Sequence, residues 1–357
     1  MPLLCSILSK FNGAIHVAFA IVFVTSILTL DVVHGFSKTT KSAKPGVFDA
    51  PLLTQKIGAN RSIVVDVNGN GEFKSIQDAV NSVPKGNSGW IIIHVRKGIY
   101  REKVYIPKDK PYIFMRGNGN GKTSIVWSQS SDNTLESATF RVEAPHFVAF
   151  GIRFENDAPT GEAFTPQNQS VAAVVAADMA AFYHCAFQGT QNTLFDYKGR
   201  HYYDNCYIQG SVDFIFGRAQ SIFHNCEIFV ITDRRVKIHG SITAHQRGSE
   251  KENTGFVFIK GKVFGISEVY LGKAKGAFSR VIFANSYLSK GIIPQGWTTY
   301  GYSGDTKNLY QAEYDCHGPG SNTSSRAPWS KQLKEEEAAP FMSVDFINGK
   351  DWLPAWL

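Results

Sequence analysis

The sequence of 357 residues has few cysteines and none of the short motifs that bind metals or activate a serine. Its five cysteines form no CxxC pair and there is no HExxH segment, so we expect no metal site. Five cysteines are also too few for a disulfide scaffold. The lack of a GxSxG segment excludes the nucleophile elbow of serine esterases. A net charge of +7 is spread along the chain, which argues against a nucleic-acid partner and fits an anionic polymer or surface.

One hydrophobic run lies near the N-terminus, from Val17 to Leu30, after Lys10 and before Gly35. This layout predicts a cleavable signal peptide over residues 1–35, because a membrane span needs about 20 apolar residues. An uncleaved signal anchor is the alternative. N-glycosylation sequons agree with the secretory route and begin at Asn60, Asn168 and Asn322. We therefore expect a secreted, extracellular protein.

The remaining sequence predicts an exposed lead-in segment followed by a single domain. Residues 36–61 are polar and are interrupted by Pro45, Pro51 and Gly58. Residues 62–357 contain no linker rich in proline, glycine or serine, and their length is normal for one elongated β domain.

Three cysteines, Cys185, Cys206 and Cys226, recur at a nearly constant interval of about 20 residues, within the range of solenoid repeats. Their frames are Phe182-Tyr-His-Cys-Ala-Phe187, Tyr203-Asp-Asn-Cys-Tyr-Ile208 and Phe223-His-Asn-Cys-Glu-Ile228. Short alternating runs at such a period predict an all-β parallel solenoid, in which each coil buries its apolar face on the next. We expect the cysteines to form an internal ladder of small side chains. A disulfide between neighbours is the alternative, and the spacing does not decide the pairing among these three and Cys316.

Helical periodicity is confined to the two ends of this region. Residues 75–83 place Ile76 and Ala79 at helical spacing and stop before Pro84, which predicts a helix that caps the first coil. Residues 330–337 have a similar pattern and are expected to protect the other end of the solenoid.

Amide and carboxylate side chains recur at nearly the same interval as the cysteines. Gln191 follows Gln169 by one such interval, and Asp213 follows Asn192 by another. Neighbouring strands of a parallel ladder lie about 4.8 Å apart, so we expect a polar row on the outside of three coils. A carboxylate flanked by amide donors can act as a nucleophile or a base. The alternative is that Asp213 only satisfies backbone donors at a coil corner and that the glutamines form a structural amide ladder.

Seven segments from about Ile63 onwards carry a family resemblance: Gly69-Asn-Gly-Glu-Phe73 with Ile76-Gln77, Gly98-Ile-Tyr-Arg-Glu102, Ser137-Ala-Thr139, Asp178-Met-Ala-Ala-Phe-Tyr183, Gly210-Ser-Val-Asp-Phe-Ile-Phe-Gly217, Ile242-Thr-Ala244 and Tyr270-Leu-Gly272. In content and order they resemble the plant pectinesterases, which hydrolyse methyl esters of polygalacturonate in the cell wall. The resemblance implies a single-stranded right-handed parallel β-helix of the pectin lyase-like type, with short terminal helices. It also implies no metal or organic cofactor and a long open cleft for methyl-esterified homogalacturonan, the main chain of pectin.

The stretch before the first coil is too short for the inhibitor-like pro-domain of some relatives, so we expect the short form of the family. A monomer located in the cell wall is expected. Proteinaceous pectinesterase inhibitors are further candidate partners.

The resemblance also assigns roles to residues of the predicted polar row. Asp213 matches the nucleophile that attacks the ester carbonyl and forms an acyl-enzyme, while Gln169 and Gln191 match the amides that stabilise the oxyanion. One such donor contributes about 3–4 kcal/mol to catalysis. Thr134 matches a threonine that contacts the substrate, and Phe216 is expected to line the cleft.

Two matched positions depart from the family pattern. Where the family has Gln-Asp-Thr-Leu, this chain has Gln191-Asn-Thr-Leu194, so Asn192 replaces the general acid/base. An amide cannot exchange a proton near neutral pH, and losing such a group costs about 10²- to 10⁴-fold in rate. The Leu-Gly-Arg-Pro-Trp pattern becomes Leu271-Gly-Lys-Ala-Lys275. Lys273 therefore replaces an orienting arginine without its bidentate geometry, and Lys275 replaces an aromatic platform and favours an anionic uronate.

Three hypotheses of function follow. The first is a working pectinesterase. The second is a catalytically impaired protein that binds pectin, motivated by Asn192 and Lys273. The third, a lyase on the same solenoid, usually needs a calcium site of clustered acids, which the sequence does not contain.

Other residues are candidates for a substitute acid. Glu102 belongs to a recurrent family segment, whereas His184 and His201 lie in neighbouring coils and are expected to be structural or solvent-facing. Because Asn168 adjoins Gln169 in the cleft, a glycan there would crowd the substrate. We therefore expect the sequon at Asn168 to be unused.

Overall fold

The computed structural model describes residues 50–158, 169–232 and 239–356. The predicted signal peptide and the sequon at Asn168 lie outside these residues. The sequons at Asn60 and Asn322 lie within them, and both asparagines are exposed. Within the described ranges, no helix is long and apolar enough to cross a membrane.

The strands of the described residues form three parallel sheets that the chain visits in turn. Sheet 1 contains, in stacking order, Arg61–Val65, Ile91–Val95, Ile113–Arg116, Phe147–Phe150, Ala180–Tyr183, Arg200–Asp204, Gln220–His224, Gly255–Ile259, Arg280–Ala284, Tyr310–Tyr314 and Lys331–Gln332. Sheet 2 contains Gly98–Tyr100, Thr123–Trp127, Arg153–Asn156, Ala186–Gln188, Tyr207–Gly210, Glu227–Val230, Lys262–Gly265 and Tyr287–Leu288. Sheet 3 contains Val104–Ile106, Phe140–Val142, Ala173–Val175, Leu194–Asp196, Ile215–Gly217, Gly240–His245, Val269–Ala274 and Trp297–Thr298. The architecture is a right-handed parallel β-helix, so the predicted fold class is confirmed.

Stacked aromatic rings fill the interior behind sheet 1. Phe182, Tyr203, Phe223, Phe258 and Phe283 occupy equivalent positions in five successive coils. Consecutive ring centroids are 5.1, 4.6, 4.5 and 4.4 Å apart, and the planes differ by 10° at most. The coil repeat therefore converts one apolar position per coil into a continuous core.

The repeating cysteines lie at the corner between sheets 1 and 2. Cys185, Cys206 and Cys226 are buried and free, as the ladder interpretation requires, and Cys316 is also free. The disulfide alternative is therefore wrong. Each cysteine follows a residue with left-handed backbone, and in successive coils this corner residue is His184, Asn205, Asn225, Lys260, Asn285 and Asp315.

We expect Lys260→Asn to stabilise the fold by about 0.5–1 kcal/mol. Lys260 is exposed and has a φ of 54°, a conformation that costs about 1–2 kcal/mol for most residues but that asparagine adopts readily. Asn225 and Asn285 occupy the same corner in adjacent coils. Urea unfolding measures the gain, and Lys290→Asn, at an exposed position outside the left-handed region, should give none. Equal changes in the two variants would contradict the backbone explanation.

The N-terminal end carries two helices. Helix α1, Ala50–Ile57, buries Leu53 and Ile57 in the same cluster as Ile92 of sheet 1. The prediction of an exposed lead-in is therefore wrong for this part of residues 36–61, because the outer face of sheet 1 is apolar and needs cover.

Helix α2, Ile76–Ser82, confirms the helix predicted over residues 75–83. It begins at Ser75, whose hydroxyl accepts from the N–H of Asp78. The carboxylate of Glu102 accepts from the N–H groups of Ile76 and Gln77 at 2.8 and 3.0 Å. Glu102 therefore caps this helix.

The C-terminal segment contains helix Glu335–Met342 and the 3₁₀ turns Val344–Ile347 and Gly349–Asp351. The helix predicted over residues 330–337 begins only at Glu335, because Lys331–Gln332 pairs as the last strand of sheet 1. The segment packs on the outer face of sheet 1 rather than at the open end of the solenoid, where it was expected. The apolar residues on that face explain the difference, since they would otherwise contact water.

Candidate active site

Asp213 lies in the turn before strand Ile215–Gly217 and has left-handed backbone, with a φ of 46°. Its N–H donates to the carbonyl oxygen of Ser241 at 2.7 Å, and the hydroxyl of Ser241 donates to its Oδ1 atom. Its Oδ2 atom forms an ion pair with Nζ of Lys273. The Asp213 side chain is 15% exposed, so solvent can still reach it. Its carboxylate is oriented by the two polar partners.

Lys273 reaches Asp213 across two coils. It lies in strand Val269–Ala274 and aligns with Ala244, which in turn aligns with Phe216. Because Ala244 carries only a methyl group, the aliphatic part of Lys273 has room to extend back along the sheet. The ammonium group is a point charge, so it cannot bind both carboxylate oxygens through a planar fork as arginine does.

Asn192 is the neighbour of Asp213 in the preceding coil. Gln191 pairs with Val212, and the N–H of Asn192 donates to the carbonyl oxygen of Val212 at 3.2 Å. Asn192 also has left-handed backbone, with a φ of 57°. The two side chains therefore leave the backbone at equivalent points, at the ladder spacing of about 4.8 Å.

Gln191 is buried, with 3% exposure, and its Nε2 atom has no hydrogen-bond partner among the described residues. Burying an amide donor without a partner costs about 1–3 kcal/mol. Such a donor is available to an oxygen atom of a water molecule or of a ligand.

Gln169 belongs to a second group of residues, together with Ser131 and Thr134. It pairs antiparallel with Ser131, outside the parallel register that aligns Gln191 and Asn192 with the coil of Asp213. Its Oε1 atom accepts from the hydroxyl of Thr134, the first residue of the short helix Thr134–Ser137. Thr134 therefore fixes the orientation of the Gln169 amide.

An aromatic floor lies beside the carboxylate on the outer face of sheet 3. Phe195 and Phe216 are aligned in adjacent strands, with ring centroids 4.4 Å apart and planes differing by 2°. Lys275 is exposed just beyond the end of strand Val269–Ala274. Because the two rings cover each other's faces, the floor presents an apolar surface of ring edges, and Lys275 adds a cation near it.

The other candidate acids lie away from Asp213. Glu102 caps helix α2, and His184 lies at the corner between sheets 1 and 2 with its ring against Phe150. His201 is fully buried, and its two ring nitrogens face Asp196 and the carbonyl oxygen of Ala177. All three side chains are thus held by structural contacts.

Ser241 is the contact residue that the sequence did not reveal. It follows Asp213 at more than the length of a regular coil, because a longer connection precedes strand Gly240–His245. Alignment by period therefore misses it. The family-like segment Ile242-Thr-Ala244, which begins at the next residue, was the available signal.

A buried histidine lies behind the cleft floor. His245 accepts a hydrogen bond from the N–H of Arg280 at Nδ1 and contacts the carbonyl oxygen of Ala219 through Nε2, so the neutral ring satisfies both. Burial lowers the pKa of His245 from 6.5 to about 3, and the charges of Arg280 and Arg247 act in the same direction.

We expect His245 to make the fold less stable in acid. Its folded pKa is about 3 and its unfolded pKa is 6.5, so the unfolded chain binds the extra proton between these values. Stability is therefore lost as the pH falls from 6.5 towards 3, at about 1.4 kcal/mol per pH unit. Urea unfolding at pH 6.5, 5.5 and 4.5 should show a smaller loss for His245→Gln, which keeps a donor and an acceptor. Equal pH dependence in both proteins would refute this.

The family model described as Pectinesterase matches residues 62–350. With the β-helix, this match defines the class of the protein as a carboxylic ester hydrolase. The chain belongs to the pectinesterase family.

Individual relatives agree with this assignment. The chain is 62% identical over 331 residues to “Probable pectinesterase 67” of Arabidopsis thaliana, covering 93% of this chain and 96% of that protein. It is 37% identical to “Pectinesterase 31” of the same plant, covering 84% and 96%. The solved pectin methylesterase from carrot has a TM-score of 0.78 at 32% identity, covering 83% and 95%. The pectin methylesterase from Aspergillus niger has a TM-score of 0.70 at 30% identity, covering 82% and 94%.

Proposed function

We propose that the protein hydrolyses the methyl esters of cell-wall homogalacturonan to pectate and methanol, with Asp213 as the nucleophile. The observation that carries the proposal is the Asp213 carboxylate, oriented by Lys273 and Ser241 in the coil that follows the buried amide of Gln191. The N-terminal apolar run supports secretion, which would bring the enzyme to this polymer.

The chemistry begins with attack of the Asp213 carboxylate on the ester carbonyl carbon. The charge that develops on the carbonyl oxygen needs donors, and Nε2 of Gln191 is a buried donor without a partner among the described residues. Gln169 is the second amide, oriented through its Oε1 atom by Thr134. Collapse of the tetrahedral intermediate expels methanol and leaves an acyl-enzyme on Asp213, which water then hydrolyses.

Substrate binding is assigned to the surfaces around this centre. We assign Phe216 and Phe195 to contact with the sugar ring, and Thr134 and Gln169, which are hydrogen-bonded to each other, to contact with the polymer. Lys273 and Lys275 provide positive charge for the uronate carboxylates of the polymer.

The test is methanol release from methyl-esterified pectin by the purified chain. We expect release that depends on Asp213. No release above that of an Asp213→Ala variant would refute the proposal.

The second candidate function is pectin binding without turnover, and Asn192 is the observation that favours it. It predicts binding of pectin with no methanol release by the native chain. Activity should then appear when Asn192→Asp is combined with Lys273→Arg.

A further inference from the structure

The leaving methoxide needs a proton, and the neighbour of Asp213 cannot supply it. Asn192 occupies that position, and an amide donates hydrogen bonds without exchanging protons near neutral pH. Within the described residues, the Asp213 side chain contacts two groups, the hydroxyl of Ser241 and the ammonium of Lys273.

These two groups differ in their ability to transfer a proton. A serine hydroxyl is a very weak acid that needs a base of its own to ionise. A lysine ammonium can lose a proton and take one back, whereas an arginine guanidinium stays protonated. The Lys273 side chain is 13% exposed, so little bulk water competes at this point.

We propose that Lys273 is the proton-exchanging residue of this enzyme and takes over the task for which Asn192 is unsuited. The proposal rests on the proposed esterase function. On this proposal, lysine in place of the family's arginine at position 273 compensates for asparagine in place of aspartate at position 192.

Both half-reactions balance with this single group. When Asp213 attacks and the C–OCH₃ bond breaks, Nζ of Lys273 gives its proton to the departing oxygen and methanol leaves. The neutral amine then takes a proton from the water that attacks the acyl carbon, and the Asp213 carboxylate is the leaving group. The uronic acid product releases its proton to solvent, so Asp213 and Lys273 return to their starting charges.

The test compares Lys273→Arg in two backgrounds. In the native chain we expect this change to lower methanol release by about 10²-fold, because arginine keeps the charge but cannot exchange the proton. In an Asn192→Asp background the same change should cost at least tenfold less. Lys290→Arg, at an exposed position, is the matched control.

Chemical rescue gives a second readout. Ethylamine should restore part of the activity of Lys273→Ala, whereas guanidine should not. If native protein is active and Lys273→Arg keeps its rate, Lys273 is not the proton donor, although the esterase proposal survives. If native protein releases no methanol, both proposals fail.

An independent observation concerns a depression of about 320 Å³ beside the first strands of sheet 3. Its lining includes Lys108, Glu143, Ala176, Asp178 and Lys198. Tyr197, which precedes Lys198 in the chain, has its ring 4.8 Å from that of Phe195.

The two acids of this depression are each neutralised by an arginine. Arg141 donates to Glu143 at 2.9 Å, and Arg200 donates to Asp178 at 3.0 Å. Burial opposes the ionisation of both carboxyls, but these contacts outweigh it and lower the pKa of each.

The two lysines add further positive charge to the depression, and the charge of Lys198 helps to lower the pKa of Glu143. Lys108 and Lys198 form no ion pair within the described residues, and both are exposed. Together with Arg141 and Arg200 they give four basic side chains and two acids around the depression, a formal excess of two positive charges. Lys198 belongs to the coil next to that of Asp213, and neighbouring coils are about 4.8 Å apart. It lies just beyond the end of its strand, along which the chain advances about 3.3 Å per residue.

We infer that this depression binds a free carboxylate of a galacturonate unit that has already lost its methyl ester. The inference takes the polymer from the proposed function but concerns binding and not turnover. It predicts preferred binding of chains that carry free carboxylates on this side of the cleft.

Affinity measurements in an Asp213→Asn background, which prevents turnover, test this site. We expect the K108Q/K198Q variant to bind unesterified oligogalacturonate roughly fivefold more weakly at low salt, and to bind the fully methyl-esterified oligomer as before. K122Q/K290Q removes the same charge at exposed positions beside sheet 2 and should change neither affinity. Unchanged binding of the unesterified oligomer, or equal weakening for both oligomers, would overturn the inference whether or not the native chain releases methanol.

Discussion

In the Lys273→Arg background, Asn192→Asp raises the rate of methanol release by about 10²-fold, the usual contribution of a positioned general acid/base. The new carboxyl lies one coil from Asp213, and arginine keeps the positive charge of position 273 beside Asp213 in this background. Two adjacent carboxyls with different environments separate into an ionised nucleophile and a proton donor. Initial rates on methyl-esterified pectin measure the gain.

The matched control is Asn348→Asp, which makes the same exchange at another left-handed position, between the two C-terminal 3₁₀ turns. It should leave the rate unchanged. An unchanged rate when Asn192→Asp is added to Lys273→Arg would show that position 192 takes no part in proton transfer. It would also remove the reason for assigning a compensating role to Lys273.

Glu313→Ala lowers the free energy of unfolding by about 3–5 kcal/mol, because it leaves a buried arginine without its counter-charge. Arg326 donates from Nε and Nη2 to the two carboxylate oxygens of Glu313 at 2.8 and 2.9 Å. Their side chains are 4% and 2% exposed. The indole N–H of Trp297 also donates to Glu313, at 3.3 Å. The ion pair of Glu313 and Arg326 therefore links residues of the last coils.

Urea unfolding measures this loss against Asp345→Ala, which breaks an exposed ion pair with Lys350 and should cost less than about 1 kcal/mol. Replacing both Glu313 and Arg326 with methionine should recover much of the loss, since no buried charge then lacks a partner. Similar losses in Glu313→Ala and Asp345→Ala would mean that burial does not strengthen the pair.

Local spacing predicted the parts of the molecule where one coil repeats the next. The cysteine frames, which recur once per coil, indicated the solenoid and its buried ladder, and the helix over residues 75–83 was visible from its apolar period. The same spacing indicated that Asn192 and Asp213 are neighbours, because the coil that separates them has the regular length.

Irregular connections limited what the spacing could predict. The contact between Ser241 and Asp213 spans more than one regular coil, and the antiparallel pairing of Gln169 with Ser131 follows no coil period. The C-terminal segment was expected at the open end, yet it covers sheet 1. Its position depends on which outer face is apolar, which becomes known only when the strands are assembled.

The sequence by itself determined the solenoid from its period, and through its resemblance to the family it determined the right-handed β-helix and the two exchanges at positions 192 and 273. Only the tertiary structure decided that Lys273 contacts Asp213 from two coils away, past the small side chain of Ala244. It also left Nε2 of Gln191 buried without a partner among the described residues. The physical reason is that the reach and the burial of a side chain depend on which side chains of the neighbouring coils lie between two residues. The period of the sequence does not contain this information.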